Sequence, residues 1–481
     1  LGGSAFFECT SLASVVLPDS LTQLGEQAFM KCSSLTSVVL PDSLTQLGDA
    51  AFCVCSSLTS VVLPDSLTHL DEKAFARCSS LTSVVLPDSL TQLGEHAFKE
   101  CTSLTSVVLP DSLTQLGEGA FCQCSSLTSV VFPDSLTELG EQAFAGCTTL
   151  TSVVFPDSLT QLGEQAFLLC TSLRSVVLPD FLTQLGKGAF QECTSLMSVV
   201  LPNCLTQLGE SAFVNCISLT SVVLPDSLTQ LGDTAFAECT SLTSVVFPDS
   251  FFLTLLCERA FAYCTYLTSV VLPDSITEIE ESAFAKCVSL TSVVLSDGLT
   301  KLGDGAFWEC TSLTSVVLPD SLTQLGTGAF HDCCSLTSVV LPNSPILLEK
   351  LTFAGCTSLT SVVLPDWVEL ACDDVFLQCN GLEQKAASAG FDDGGFDSVE
   401  FYLRVRYESI TLRKLILRLL RKYNQAVNNA YGTEAEKHAS ALALFPDDNS
   451  GTLEVGLFLQ KMNISGGDGV SGLVGYILKF L

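Results

Sequence analysis

The sequence predicts an α/β solenoid with one long parallel β-sheet and short helical turns, followed by a small, mainly helical C-terminal region. Two observations indicate the solenoid. A unit of about 23 residues occurs sixteen times between residues 12 and 381, after a partial unit at residues 5–9. Hydrophobic residues make up 47% of the chain and charged residues only 15%, which is enough apolar material for a large core. One such unit cannot bury its own apolar side chains, so successive units must stack and share a core.

The unit that begins at Leu58 shows how each element arises. Residues 60–63 (Ser-Val-Val-Leu) are short and β-branched, and they predict a strand with alternate side chains turned inward. Pro64 ends the strand because it has no N–H for the ladder. Leu67 and Leu70 return to the core along the opposite wall. Residues 74–78 (Ala-Phe-Ala-Arg-Cys) predict one helical turn that buries its Phe and its Cys.

The resulting pattern, LxxVxLPxxLxxLGxxAFxxC, resembles the BspA-like class of leucine-rich repeats, which occurs in bacterial and protist surface proteins. The resemblance covers residues 1–381, about four-fifths of the chain. It implies a leucine-rich-repeat solenoid that binds host or matrix proteins at the cell surface or outside the cell. A cytoplasmic location is the alternative. The resemblance implies no catalytic residues.

The charge is distributed unevenly and limits the choice of partner. Residues 1–381 carry 40 acidic and 10 basic side chains, whereas residues 382–481 carry 12 and 11, and the net charge is -31. So acidic a surface repels the phosphates of nucleic acids and anionic lipids, which leaves cations and basic or extended proteins as partners.

Enzymatic and membrane functions receive no support from the sequence. The four histidines (His69, His96, His331 and His438) lie in unrelated contexts, and no GxSxG, Walker or HExxH motif is present. No run of 18 apolar residues predicts a membrane span. Because the chain begins inside a repeat and without Met, we expect it to be a fragment whose signal peptide, if any, lies upstream.

Cysteines and acids form columns along the repeat. Seventeen of the 23 cysteines occupy one column, from Cys9 to Cys379. We expect these cysteines to form a ladder of buried thiols. A disulfide framework is less favoured because an odd number of cysteines cannot pair completely. Metal binding is less favoured because no second ligand recurs nearby. Acidic columns follow the strand (for example Asp65) and the Gly bend (for example Glu72). They predict turn support and solubility, with a Ca²⁺ ladder as the alternative.

The outward positions of the strands form the candidate binding surface. In three consecutive units these positions are Ser60, Val62, Ser83, Val85, Ser106 and Val108. A monotonous Ser/Val lattice lacks the varied polar groups of a small-molecule pocket, but it can bind an extended or repetitive protein or a second copy of the chain. The alternative is that Ser and Val are only good strand formers. Variation between units is expected mainly in the helical turns, as at residues 30–31 and 308–309.

Beyond the repeat, residues 382–398 predict a loop-like linker and residues 399–481 a small helical domain. Residues 412–423 carry one apolar face among basic residues, which predicts an amphipathic helix that either caps the solenoid or binds a partner groove or an anionic membrane.

Residues 446–457 resemble a degenerate EF-hand loop. Its candidate Ca²⁺ ligands are Asp448, Ser450, Thr452 and Glu454. Pro446 and Leu457 occupy the first and last ligand positions, so tight Ca²⁺ binding is not expected, and no other cofactor is. The leading hypothesis is a non-enzymatic interaction or adhesion scaffold. A Ca²⁺-responsive intracellular scaffold and a self-associating structural protein are the alternatives.

Overall fold

The computed structural model describes residues 1–248, 252–364 and 367–388, together with Val399 and Leu403. The chain divides into two compact units, one of residues 1–362 and 366–399 and one of residues 363–365 and 400–481. The first unit contains the solenoid.

Each coil begins with a short strand of sequence Ser-Val-Val, and these strands lie side by side in consecutive sheets of two to seven strands, which we together call the SVV sheet. Paired strands are parallel and in register, so that Ser60 pairs with Ser83 and Val62 with Val85. Equal unit length produces this register, because a slip of one residue turns every buried side chain outward. The strands are Ser14–Val16, Ser37–Val39, Ser60–Val62, Ser83–Val85, Ser106–Val108, Ser129–Val131, Ser152–Val154, Ser175–Val177, Ser198–Val200, Ser221–Val223, Ser244–Val246, Ser269–Val271, Ser292–Val294, Ser315–Val317, Ser338–Val340 and Ser361–Val362.

A second parallel sheet, which we call the QL sheet, runs along another side of the coils. The expectation of a single sheet was therefore wrong. Each strand has only two or three residues, and its last Leu or Ile is buried, except for the half-buried Leu370, while the preceding residue is mostly exposed. The strands are Gln23–Leu24, Gln46–Leu47, His69–Leu70, Gln92–Leu93, Gln115–Leu116, Glu138–Leu139, Gln161–Leu162, Gln184–Leu185, Gln207–Leu208, Gln230–Leu231, Leu255–Leu256, Glu278–Ile279, Lys301–Leu302, Gln324–Leu325, Ile346–Leu348 and Val368–Leu370.

The predicted helical turns were also wrong, because the Ala-Phe-x-x-Cys segments are successive tight turns. In the coil that contains Phe75, Lys73 and Arg77 adopt the left-handed backbone region, with φ of 56° and 61°. The Ala76 N–H closes a turn on the Lys73 carbonyl, whereas the Phe75 N–H donates to Ala97 O of the next coil at 2.8 Å. Every second backbone N–H of this segment therefore donates to a carbonyl of the neighbouring coil. In a helix, every N–H would instead donate to a carbonyl four residues earlier in the same coil.

The core consists of columns of identical side chains. Seventeen phenylalanines, from Phe6 to Phe376, stack in parallel with ring centroids 4.9–5.7 Å apart. Leucines from both sheets and the inward valines fill the rest. The stack lies along the turn side of the coil, where the Ala-Phe segments align from one coil to the next.

Near the end of the described region the repeat gives way to helix. A 3₁₀-helix spans Asp373–Phe376 and an α-helix spans Asn380–Ser388, so residues 382–388 of the expected loop-like linker are helical. The expected amphipathic helix at residues 412–423 and the EF-hand-like loop lie outside the described residues. Within the described residues, no helix has the length and apolar character needed to cross a membrane.

Candidate binding face

The SVV sheet brings the six predicted surface residues together on one side. Ser60, Val62, Ser83, Val85, Ser106 and Val108 are all exposed, and the valines between them, such as Val84, are buried. The exposed valine recurs in fifteen coils from Val16 to Val340, with exposed fractions between 48% and 90%. At a strand spacing of about 4.8 Å, these coils give an apolar stripe about 70 Å long.

Hydroxyl groups accompany the valine stripe. The Thr before each strand uses its hydroxyl within the solenoid, as when Thr82 Oγ1 donates to Thr59 O at 3.1 Å. The strand serines differ. In the described part of the chain, the Ser83 and Ser106 hydroxyls have no hydrogen bond of their own to the protein. The face therefore offers ligand-accessible hydroxyls beside methyl groups, and its strand positions carry no charge.

A serine hydrogen bond stabilises the turn that follows many of the strands. Ser89 Oγ donates to Leu67 O of the preceding coil at 2.9 Å, and the same bond recurs as Ser112 to Leu90. The adjacent Asp88 is exposed. Asp320 occupies the equivalent position in a later coil and does form a hydrogen bond, which it accepts from the Asn343 N–H at 2.8 Å. This bond lowers the pKa of the Asp320 carboxyl. Among the described residues, no group of three potential metal ligands converges.

A groove of about 470 Å³ lies on the QL side. Asp71, Glu72, Glu95 and Glu138 line it together with His69. Burial, assisted by the negative charge of Asp49, raises the pKa of the Asp71 carboxyl. His69 Nδ1 lies 2.8 Å from Thr68 Oγ1, a neighbour in sequence. The groove is open and strongly acidic, and its groups repel an anionic ligand.

The remaining described histidines lie in other coils. His96 Nε2 is 3.9 Å from a carboxylate oxygen of Glu118, and His331 Nδ1 is 2.9 Å from Ala354 O. The histidines therefore do not converge on one site, while His438 lies outside the described residues.

The predicted ladder of buried thiols is confirmed. All 23 cysteines are free and 18 are buried. Every column cysteine from Cys32 to Cys379 donates to a Phe carbonyl of the preceding coil, as Cys78 Sγ does to Phe52 O at 3.2 Å, whereas Cys9 in the first, partial unit is exposed. Burial raises the pKa of the Cys101 and Cys193 thiols to about 12. Such thiols are neutral at physiological pH and serve as small hydrogen-bonding core residues, without the reactivity of a thiolate.

Sequence reasoning missed the residues at the borders of the SVV sheet. It placed the variation between units mainly in the turns, yet Arg174, Met197 and Tyr266 replace the usual Thr or Ser beside the strands. A comparison of the units position by position reveals these three substitutions in the sequence. Only the structure shows that the substituted positions lie at the edge of the exposed SVV face.

Comparison with known proteins agrees with this architecture. The family described as "BspA type Leucine rich repeat region (6 copies)" matches residues 1–128, 114–243, 160–290 and 254–383. A leucine-rich repeat protein from Bacteroides ovatus is 27% identical with a TM-score of 0.58, over 78% of this chain and 86% of that one. A leucine rich cell surface protein from Faecalibacterium prausnitzii is 24% identical with a TM-score of 0.40, over 75% and 88%.

A shorter match is the leucine-rich repeat protein of T. pallidum, which is 38% identical with a TM-score of 0.32, over 33% of this chain and 77% of that one. A comparison with curated proteins gives no match. The family match extends over the whole repeat region, well beyond half of the chain. The chain therefore belongs to the BspA-type leucine-rich-repeat family.

Proposed function

We propose that this protein is a non-enzymatic interaction scaffold that binds an extended protein segment along its SVV face. The observation that carries the proposal is the in-register column of exposed valines beside free serine hydroxyls. Contiguous apolar surface of this kind is uncommon on soluble proteins and typically marks an interaction site. Its partner is a polypeptide that presents apolar side chains in a repeating, strand-like arrangement.

The dimensions of the face support this role. A strip about 70 Å long and about 10 Å wide offers on the order of 700 Å², close to what one partner contributes to a stable protein interface. The acidic column that follows the strands, which includes Asp65 and Asp88, lies beside this strip and favours a partner with basic residues outside its apolar positions. A small ligand gains little from such a lattice, because few different groups converge at any one point.

A substitution set tests the proposal in the full chain. Random 16-residue peptides displayed on phage are selected on the wild-type protein, and the selected peptides are then measured against variants by fluorescence anisotropy. One variant carries Lys at alternate valines of the face: Val62, Val108, Val154, Val200 and Val246. A matched control adds the same charge to exposed QL positions: Gln46, Gln92, Gln161, Gln230 and Gln324.

We expect the valine variant to bind at least tenfold more weakly than the wild type, since each Lys places a charge in a desolvated contact. The glutamine variant keeps its affinity. Equal affinity of the two variants for the selected peptides contradicts the proposal. Circular dichroism spectra of both variants check that the solenoid is retained.

Self-association is a second candidate, because a second copy also presents an exposed valine stripe. Sedimentation velocity of the wild type and the valine variant separates it from binding of another protein. A dimer that the wild type forms with increasing concentration, and that the valine variant does not form, supports self-association. A wild type that stays monomeric at every concentration rejects it.

A further inference from the structure

Four consecutive repeat units, of which the structure describes residues 173–248 and 252–266, contain substitutions that break the uniformity of the SVV face. In other coils the columns that border the strands are almost entirely Thr and Ser. Here one border carries Arg174, Met197, Ile217 and Tyr266, and the other border carries Phe181 and Phe252.

The substituted side chains are available for contact. The five hydrophobic ones have exposed fractions between 40% and 68%. Outside these coils the described border columns hold one further aromatic residue, Trp367, whose indole Nε1 donates to Pro342 O within the solenoid. Exposed aromatic residues, methionine and arginine are the residue types that concentrate at the energetic centres of protein interfaces.

Backbone hydrogen bonds show that Arg174, Met197 and Ile217 lie on three successive coils and that one uniform coil separates Ile217 from Tyr266. The Met197 N–H donates to Arg174 O at 2.8 Å, and the Ser241 N–H donates to Ile217 O at 3.2 Å. The Tyr266 N–H in turn donates to Thr240 O at 3.2 Å. Arg174 and Tyr266 are thus four coils apart, about 19 Å at the spacing of parallel strands, which an extended segment of about six residues spans.

Arg174 gives this region a charge of its own. It is exposed at the border of the sheet, and in the described part of the chain its guanidinium forms no ion pair. The other arginines of the solenoid, Arg77 and Arg259, pair with glutamates on the turn side. An unpaired guanidinium beside an apolar surface is complementary to a carboxylate, with which it forms charge-assisted hydrogen bonds.

We propose that coils 173–266 are the anchoring site of the SVV face, where a partner segment of about six extended residues binds. That segment carries aromatic or aliphatic side chains and places a carboxylate against Arg174. The inference rests on the proposed function of the face as a protein-binding surface, and it assigns the main contacts to one place on that surface. The uniform coils on either side add weaker contacts.

The test uses reversion to the repeat consensus. Full-length protein is probed on an array of hexapeptides that contain three aromatic or aliphatic residues and one Asp, Glu or Lys. The variant R174T/M197T/I217T/Y266S replaces the four substituted residues on the Arg174 border by residues that occupy the same columns in other coils. We expect the wild type to prefer Asp and Glu peptides over Lys peptides at least fivefold, and the reverted variant to lose at least tenfold in affinity for them.

A graft supplies the matched gain of function. In the reverted background, T59R/T82M/T102I/T149Y places the same four side chains five coils earlier, at positions equivalent in the repeat. We expect the graft to restore binding and the preference for acidic peptides. A graft that folds but does not bind overturns the proposal.

The remaining outcomes separate this inference from the proposed function. Peptides whose binding survives the reversion but is lost in the valine-to-lysine variant overturn the anchoring site and leave the function of the face intact. Peptides that bind all variants equally overturn both. An array on which no acidic hexapeptide binds the wild type overturns the anchoring site.

Discussion

Raising the pH from 8 to 10 should destabilise the solenoid strongly, because its thiols are buried in the neutral form. Burial raises the pKa of six thiols to about 12 in the folded chain: Cys55, Cys101, Cys193, Cys239, Cys287 and Cys379. An unfolded cysteine has its ordinary pKa of 9.0. Between these two values the folded state holds more protons than the unfolded state, so stability is fully present below pH 9 and falls as the pH rises towards 12.

The size of the effect follows from the linkage of proton binding to folding. At pH 10 each such thiol lowers the free energy of unfolding by about 1 kcal/mol, so the six together remove on the order of 6 to 8 kcal/mol. That amount is comparable to the whole stability of an ordinary domain. Urea titrations at pH 8, 9 and 10, followed by circular dichroism, measure it.

A pair of variants assigns the effect to the ladder. C193A should release about one proton fewer on unfolding at pH 10, so the stability of this variant should depend less steeply on pH. C204S, which removes an exposed thiol, is the matched control. With Ellman's reagent at pH 8, we expect Cys9 and Cys204 to react quickly and the 18 buried thiols only upon unfolding. Equal stability at pH 8 and 10, or rapid labelling of all thiols in the folded chain, refutes this account of the core.

Three further predictions concern single coils, and urea titration tests each of them. Glu192 has a φ of 59°, a conformation that glycine adopts without strain. E192G should therefore be about 1 kcal/mol more stable than E192A, which removes the same charge but keeps the backbone strain. Equal stabilities of the two variants contradict this backbone conformation. F190A should cost about 3 to 5 kcal/mol by opening the ring stack, and F190L clearly less; a loss below about 1 kcal/mol in F190A excludes the stack as a core element. S89A should cost about 1 kcal/mol through its lost bond to Leu67 O, whereas D88A should be neutral or slightly stabilising, and the reverse order shows that the aspartate supports the turn.

Several features of the fold could be predicted from the sequence because they depend on local pattern. The alternation in residues 60–63 predicts the strand and the outward position of Val62. The column of cysteines predicts the ladder of buried thiols. The QL sheet was missed because a two-residue strand has no periodicity to detect. The sequence around Phe75 predicts a helical turn because Ala and Phe in a short segment suit one. The backbone conformation of this segment is set instead by hydrogen bonds to the next coil, which the local sequence does not reveal.

The candidate binding face could be predicted in part. The alternation in each strand located its uniform part at Ser60, Val62 and their equivalents, and the structure places those residues side by side. The border residues Arg174 and Tyr266 are more than 90 positions apart in the sequence, and only the stacking of coils brings them near one another. The EF-hand-like ligands at Asp448 and Glu454 lie outside the described residues, and Ca²⁺ binding there stays a prediction.

Hydroxyl-radical footprinting of the full chain, with and without a saturating peptide selected on the wild-type protein, tests the central claim most directly. Mass spectrometry reads the oxidation of individual side chains, among which Met197 and Tyr266 react readily. We expect protection of Met197, Tyr266 and the neighbouring exposed valines, with the oxidation of Tyr263 and Leu169 on the turn side unchanged. Protection confined to the turn side or to the QL sheet, with the SVV face still oxidised, contradicts it.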